Sequence, residues 1–407
     1  MDKYMKEWVY LNDLASSKGF TWGMLEEKGE WYQYMGTDVH VLSKDKVKEI
    51  ELATERIGKI YQKMYHRLME DFILFNRLGL PISTWEVTSI RSSLFSYITR
   101  FDLVVTDNEI KLLEANTDTP TGLVESSIVN KILCDYKGMI DINRIEEGLH
   151  VAWGKWLEET KVPKEETIYF TSYGWHEEDK MTTLFIMECC PHPHKKYVPI
   201  EEILVSPQGV YTKDGDEMTY VYRLYPLEFL EYDYADSGES VGQWFLDHVA
   251  NGRVYLMNPP SAYMMQSKAV MALIWELYEN KDSMWTKEEL KWIEKYFLPT
   301  YTSKSKLEGV DYVVKPVLGR EGGGVRIFNK DNELITQDEE MWYSEYNKVY
   351  QKYIEMPNVT IGTIEGDYTG KLLIGSFLLG GRPSGLFLRV GEKITGNLSM
   401  FIGVGVE

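Results

Sequence analysis

Apolar positions recur along the chain with two periods. From residue 43 to about 76 they fall at three-to-four spacing, at Val47, Ile50, Ala53, Ile57, Ile60, Met64, Leu68 and Phe72. That pattern predicts one long amphipathic helix, capped by Ser43 and stopped by Gly79 and Pro81. Further helices are expected over 123–133, 145–157, 180–189 and 266–279. Short β-branched runs at 167–171 and 196–199 alternate with two of these helices, a βαβ-like cadence. Residues 311–328 read as strand, Gly-rich turn and strand, followed by strands at 349–354, 372–378 and 386–389. Runs at 101–106 and 110–113 flank the turn-forming Asp107-Asn108 and predict a hairpin. The aromatics of the first 42 residues, Trp8, Tyr10, Trp22, Trp31, Tyr32 and Tyr34, read as core and edge packing rather than as ligand stackers.

The hairpin carries the chemistry. Side chains on a strand alternate faces and opposed residues share one, so register decides the outcome. An odd connection, such as 107–109 with one left-handed residue, sets Asp102 opposite Glu114 and Arg100 opposite Asn116; a two-residue turn would separate them. In the odd register one face gathers an arginine, two carboxylates and an amide, while Phe101, Leu103, Val105, Leu113 and Ala115 fill the other. Two acids beside an amide oxygen suit a hard cation such as Mg2+, and Arg100 offers a fork of donors to a phosphoryl or carboxylate oxygen. The same residues also make an ion-pair cluster on a solvated hairpin, and the hairpin alone leaves both readings open.

Composition narrows the class. At 407 residues, 44% hydrophobic and 26% charged, the chain can form two or three domains with a sizeable core. A formal net charge of −19 argues against a nucleic-acid partner, which selects a basic face, and favours cationic small molecules. Three cysteines, Cys134, Cys189 and Cys190, do not make a disulfide framework, and a cytoplasmic setting is expected. There is no signal-peptide pattern and no apolar run long enough for a membrane span. CCPHPH at 189–194 lacks the ligand-pair spacing of structural zinc sites.

In VVKPVLGREGGGV, at 313–325, Lys315 projects from a strand and the glycines from 319 to 324 let backbone N–H groups close over phosphates. The segment is not a Walker A loop, and a plain hairpin turn explains it equally well. Lys268 sits near a helix start, where the dipole disfavours a cation.

The spacing Arg-x-Asp, eleven residues, Glu-x-Asn, then Asp-Thr-Pro-Thr and Glu125, resembles the synthetase part of the glutathionylspermidine synthase family, a branch of the ATP-grasp ligases. The resemblance recurs in order through Ser267-Lys268-Ala269, the Gly-rich segment and GSFLLGGRPSGLFLR at 375–389. It implies an α+β, ATP-grasp fold in circularly permuted order with a small α/β substrate domain. The expected division is 1–139 for the core with the metal hairpin, 140–262 for the small domain, and 263–407 for the nucleotide lobe and its return to the core sheet.

The resemblance further implies ATP and two Mg2+ ions, with Asp102, Glu114 and Asn116 as metal ligands and Arg100 as the catalytic cation. Lys268, Lys315, Glu321, Gly322, Gly323, Gln351, Lys352, Tyr353, Ile354 and Arg389 would hold the nucleotide. Thr119, Thr121, Glu177 and Glu178 would touch substrate, although the threonines could equally cap a helix and the glutamates could equally be an acidic helix start. The reaction implied joins a carboxylic acid to an amine through an acyl phosphate, with the Gly-rich segment as a lid against hydrolysis. A peptide acid and a polyamine are the implied substrates, and Leu224 stands where the family places a threonine on the thiol tripeptide. No amidase activity is expected, since no cysteine precedes Cys134. Neither substrate nor the oligomeric state is fixed by the sequence; a regulatory ATP-binding protein and an ATP phosphotransferase with another acceptor are the competing readings.

Overall fold

The computed structural model describes residues 3–320, 322–338, 343 and 345–407. An eight-stranded sheet runs Met35–Val41, Met400–Val406, Arg382–Gly391, Gly366–Leu379, Ile98–Val105 and Ile110–Asn116, with Asn358–Thr363 beside Gly366–Leu379 and Ile140–Asp141 beside Met400–Val406. Its strands pair antiparallel except for the parallel contact of Met35–Val41 with Met400–Val406.

One face of this sheet takes the helix Lys44–Glu70. Its stripe of Ile50, Ala53, Ile57, Ile60, Tyr61, Met64 and Leu68 is buried, and Gly58 lets it approach so closely that a Cβ there would lie 2.6 Å from Leu378 Cδ2. Ser43 Oγ accepts from Lys46 N at 3.1 Å, the expected cap. The helix is shorter than its periodicity suggested. Asp71 leaves helical geometry and uses its carboxylate to start a separate turn, Phe72–Asn76, by accepting from the N–H groups of Ile73 and Leu74. The opposite face takes Ile145–Thr160, whose Trp153 and Trp156 meet edge to face with centroids 5.5 Å apart.

The βαβ cadence forms a four-stranded parallel sheet, in the order Tyr255–Met257, Tyr220–Arg223, Ile168–Thr171 and Lys195–Tyr197. A five-stranded antiparallel sheet holds Thr300–Tyr301, Lys348–Lys352, Tyr312–Pro316, Arg326–Phe328 and Leu334–Gln337. Both chain segments before residue 117 and after residue 357 contribute to the eight-stranded sheet, so the hairpin and the last strands lie side by side.

One local expectation is corrected. The helix expected from residue 266 starts at Ala269, as Ala269–Glu279, and a separate helix, Pro260–Gln266, precedes it. Lys268 is the N-cap residue of the second, at a helix start as expected, and its N–H donates to Val317 O at 2.8 Å. The stretch from Leu123 is helical as expected, with a π-helical turn, Glu125–Val129, ahead of the α-helix Asn130–Lys137. Among the described residues no helix is long and apolar enough to cross a membrane.

Candidate active site

The hairpin strands pair Arg100 with Asn116, Phe101 with Ala115 and Asp102 with Glu114. The reason differs from the one expected. Thr106 N donates to Glu109 O at 2.9 Å, so Asp107-Asn108 is a two-residue turn, and neither residue has positive φ. A bulge restores the register: Leu103 pairs with Leu112, which leaves Leu113 unopposed. Leu113 therefore does not join Phe101, Leu103 and Val105 in the main core. It packs with Val104, Leu373, Met356 and Ile354 on the other face, beside the carboxylates.

Cations surround those carboxylates. Arg100 donates to both oxygens of Asp102, Nε to Oδ1 at 2.7 Å and Nη2 to Oδ2 at 3.2 Å, and its Nη1 reaches Thr121 O at 2.9 Å. Arg389 Nη2 lies 3.4 Å from Asp102 Oδ2, and Asn116 Nδ2 donates to the same oxygen at 3.3 Å. Lys268 Nζ is 3.3 Å from Glu114 Oε2 and donates to Gly319 O at 2.7 Å, tying the hairpin to the Gly-rich turn. Lys315 Nζ donates to Leu113 O at 3.0 Å and to Gln351 Oε1 at 2.8 Å.

These contacts set the charges. Burial alone would raise the Glu114 carboxyl, but Lys268 and then Lys315 outweigh it and bring it to about 2. Burial pushes Lys315 down to about 8 against the pull of Glu114. The result is a partly buried site holding charges of both signs, the arrangement that phosphoryl transfer uses.

Asp102, Glu114, Lys315, Gly322, Gln351, Lys352, Tyr353, Ile354 and Arg389 line one cleft between the eight- and five-stranded sheets, with about 670 Å³ of empty space continuous with solvent. Apolar side chains, Val313, Val325, Ile327, Met356 and Leu373, also line it, together with Lys393, Ile394 and Thr395. Gly322 has φ +81°, and a Cβ there would come within 3.0 Å of Ile394 Cγ2, so the turn closes on the 393–395 segment only as glycine. Gly323 is not part of this lining; its N–H donates to Arg320 O at 2.7 Å, inside the turn. Glu321 lies outside the described residues.

The substrate candidates fall elsewhere. Thr119 Oγ1 accepts from Arg320 Nη1 at 3.0 Å and Thr121 gives its carbonyl to Arg100; the helical segment that follows has no side-chain cap. Glu177 is exposed at the first turn of Glu177–Glu188 and accepts from Thr21 Oγ1 at 3.1 Å. Glu178 is half-buried and its charge acts on Tyr34. Cys189 and Cys190 are core residues, burial pushes their thiols up to about 12 and about 11, and both ring nitrogens of His192 face backbone carbonyls. Among the described residues no three His, Cys, Asp or Glu gather as a metal set; the hairpin offers two carboxylates and an amide.

Sequence reasoning missed a buried network below the site. Arg223 is bidentate on Asp118, at 2.6 and 3.0 Å, and Arg320 from the Gly-rich turn bonds Glu228 at 2.5 Å. Asn258 donates to the carbonyls of Ile98, Thr117 and Asp118 and accepts from the N–H groups of Tyr97 and Ile98, fixing the strand start and the loop together. These partners are separated by more than ninety residues, and no local pattern marks them.

A family model described as glutathionylspermidine synthase preATP-grasp matches residues 5–407. The chain belongs to this family. A Haemophilus influenzae protein provisionally named as an acid–amine ligase is 25% identical over 315 residues, covering 74% of this chain and 72% of that protein. A glutathione synthetase-like effector from Globodera pallida, solved in apo form, superposes with a TM-score of 0.61 over all of this chain and 98% of its own, at 10% identity. That likeness shows a shared mixed α/β fold of the glutathione synthetase-like type.

Proposed function

We propose that this member of the glutathionylspermidine synthase family is an ATP-dependent carboxylate–amine ligase. The observation that carries the reading is the meeting of Asp102, Glu114, Lys315 and Arg389 with apolar side chains in the lining of one cleft, with Arg100 and Lys268 paired to the two acids. An aromatic base suits the apolar side chains and its phosphates the charged ones. Asp102, Glu114 and Asn116 would hold Mg2+, and a buried and a half-buried carboxylate facing each other fit a hard cation. That ion, when bound, supplies positive charge to the phosphoryl group being transferred.

In this reading Lys315 and Lys268 hold phosphate oxygens, and Arg100 and Arg389 hold the oxygens between phosphate and acid. The carboxylate oxygen bonds to the γ-phosphorus as the bond to ADP breaks. The amine nitrogen then bonds to the carbonyl carbon as phosphate leaves. The turn around Gly322, held against Ile394, keeps water out. The order of the parts, with the hairpin early and the lysine lobe late, supports a circularly permuted ATP-grasp. A peptide or small acid and an amine such as a polyamine are the proposed substrates. Leu224 is buried in the apolar core next to strand Tyr220–Arg223, which gives an acid no hydroxyl there and points away from glutathione itself.

The test is ADP release across a matrix of peptide acids and polyamines with ATP and Mg2+, with products read by mass. Release that requires both an acid and an amine and yields their amide is expected; release with no amide product would move the reading to a phosphotransferase. Nucleotide binding should also depend on pH. Because Lys315 titrates near 8, its charge is lost as pH climbs through that value. The affinity for a non-hydrolysable ATP analogue is expected to fall by up to about tenfold per pH unit above it. Calorimetry on Lys315→Met should give a flat profile over the same range.

A further inference from the structure

A second, larger hollow adjoins the nucleotide cleft, and none of the roles above uses it. Lys393 and Ile394 line both, and a Cβ on Gly322, in the cleft lining, would lie 3.4 Å from Asp338 Oδ2, in the lining of the second groove. That groove holds about 2150 Å³ of empty space continuous with solvent, against about 670 Å³ for the cleft. Small-molecule pockets run to roughly 1,000 Å³, so this one suits an extended occupant. Its walls are the hairpin Met24–Glu27 and Glu30–Gln33, the end of strand Leu334–Gln337, the turn between Asn358–Thr363 and Gly366–Leu379, and residues from Val390 to Met400. Gln33 pins the hairpin in place: its Oε1 accepts from Ile364 N at 2.8 Å, while its Nε2 donates to Met35 O at 2.8 Å and to Tyr4 OH at 3.0 Å.

The lining is acidic and aromatic. Glu27, Glu30, Asp338, Glu365 and Glu392 bring five carboxylates against two ammoniums, those of Lys28 and Lys393. Glu27 and Glu30 stand directly opposite each other across the hairpin, and like charges in that position destabilise a strand pair. Tyr32 OH donates to Glu30 Oε2 at 2.9 Å and Tyr368 OH to Glu392 Oε1 at 3.3 Å. Among these groups Trp31 sets an indole that is 65% exposed, and a cation beside it gains from both the ring and the carboxylates. The strand Leu334–Gln337 adds a backbone feature. It ends the five-stranded sheet, and among the described residues it pairs on one side, with Arg326–Phe328, while Thr336 and Gln337 line the groove. An open strand edge takes an extended polypeptide; a polyamine has no carbonyl to pair with it.

We propose that this groove docks an extended basic segment of a partner polypeptide, with lysine or arginine side chains paired to Glu27, Glu30 and Glu365 and lying against Trp31. The proposal rests on the groove and holds whether or not the chain is a ligase. The carboxylates select positive side chains, the volume accommodates several of them, and the strand edge selects a backbone. Charge complementarity names the partner's chemistry: an acidic segment would meet five carboxylates in the lining.

The test is fluorescence anisotropy of a labelled peptide of alternating lysine and threonine, titrated with the full chain at physiological ionic strength. Combining Glu27→Gln, Glu30→Gln and Glu365→Gln is expected to weaken binding by about tenfold, the effect of three exposed ion pairs together, and Trp31→Ala alone by about threefold. The control combines Glu158→Gln, Glu165→Gln and Glu188→Gln, exposed acids outside the groove. It removes the same formal charge and is expected to change affinity by less than about twofold, since salt screens distant charges. Equal weakening by the two triple variants would mean diffuse attraction to the net charge of −19 and overturns the site, as does absence of binding to the wild type. Spermine that displaces the peptide at equal or lower concentration assigns the groove to a free polyamine and overturns the polypeptide partner. Should the groove variant lose the wild-type thermal transition, Trp31→Ala is compared with Trp175→Ala, an exposed indole outside the groove: weakening confined to Trp31→Ala supports the site, and equal weakening overturns it.

Discussion

Glu114→Ala is expected to lower acid- and ATP-dependent turnover by about three orders of magnitude or more, the scale of a charge-stabilising group in phosphoryl transfer. On the proposed reading the carboxylate does two things. It would hold the metal from opposite Asp102, and it occupies Lys268 directly while pulling on Lys315. Its removal should therefore separate two measurements. Mn2+ binding followed by electron paramagnetic resonance should weaken sharply, while metal-free nucleotide binding should hold or tighten, because two lysines lose the anion that competes with phosphate. Turnover within tenfold of wild type would sink the metal assignment; a parallel loss of nucleotide binding would point to a structural role.

The second large effect is on stability. Asp118 is fully buried and neutralises Arg223, itself 2% exposed, through two hydrogen bonds, and it also accepts from Leu227 N at 3.2 Å. Asp118→Ala leaves a guanidinium charge inside the protein with, among the described residues, the Tyr225 carbonyl as its remaining hydrogen-bond partner. Breaking a buried pair from one side costs about 3–5 kcal/mol, readable as a shift in urea midpoint at unchanged slope. Combining it with Arg223→Met should recover part of the loss, since the orphaned charge goes with it. A single-variant loss under about 1 kcal/mol would show that the pair is not the buried anchor its geometry describes.

What could be read from sequence divides along physical lines. The hairpin acids were legible because strand periodicity and an eleven-residue interval act over a short stretch, even though the parity came from a bulge and not from the turn. Lys315 and the Gly-rich turn were legible as parts but not as neighbours of Glu114. Their meeting depends on the five-stranded sheet folding over the hairpin, which no local pattern encodes. The Asp118, Arg223, Arg320 and Glu228 network was invisible for the same reason. So was the grip of Trp22 and Tyr34 on Glu125, whose Oε1 accepts from both: in sequence they are ordinary core aromatics, a description that Trp31, 65% exposed, does not meet at all. Helix ends fared worst where polar side chains decide them, as at Asp71 and at the Ser267-Lys268 break.

The bulge has a meaning beyond register. A two-residue turn with regular pairing would bring Asp102 opposite Glu114 with one residue fewer between them, so the hairpin itself does not need Leu113. The surplus residue serves the opposing lobe instead: its side chain walls the cleft and its carbonyl receives the ammonium of Lys315. An insertion in one sheet has become the docking post for the other, and a lineage that lost it could keep both acids in place while its two lobes lost their common hinge pin.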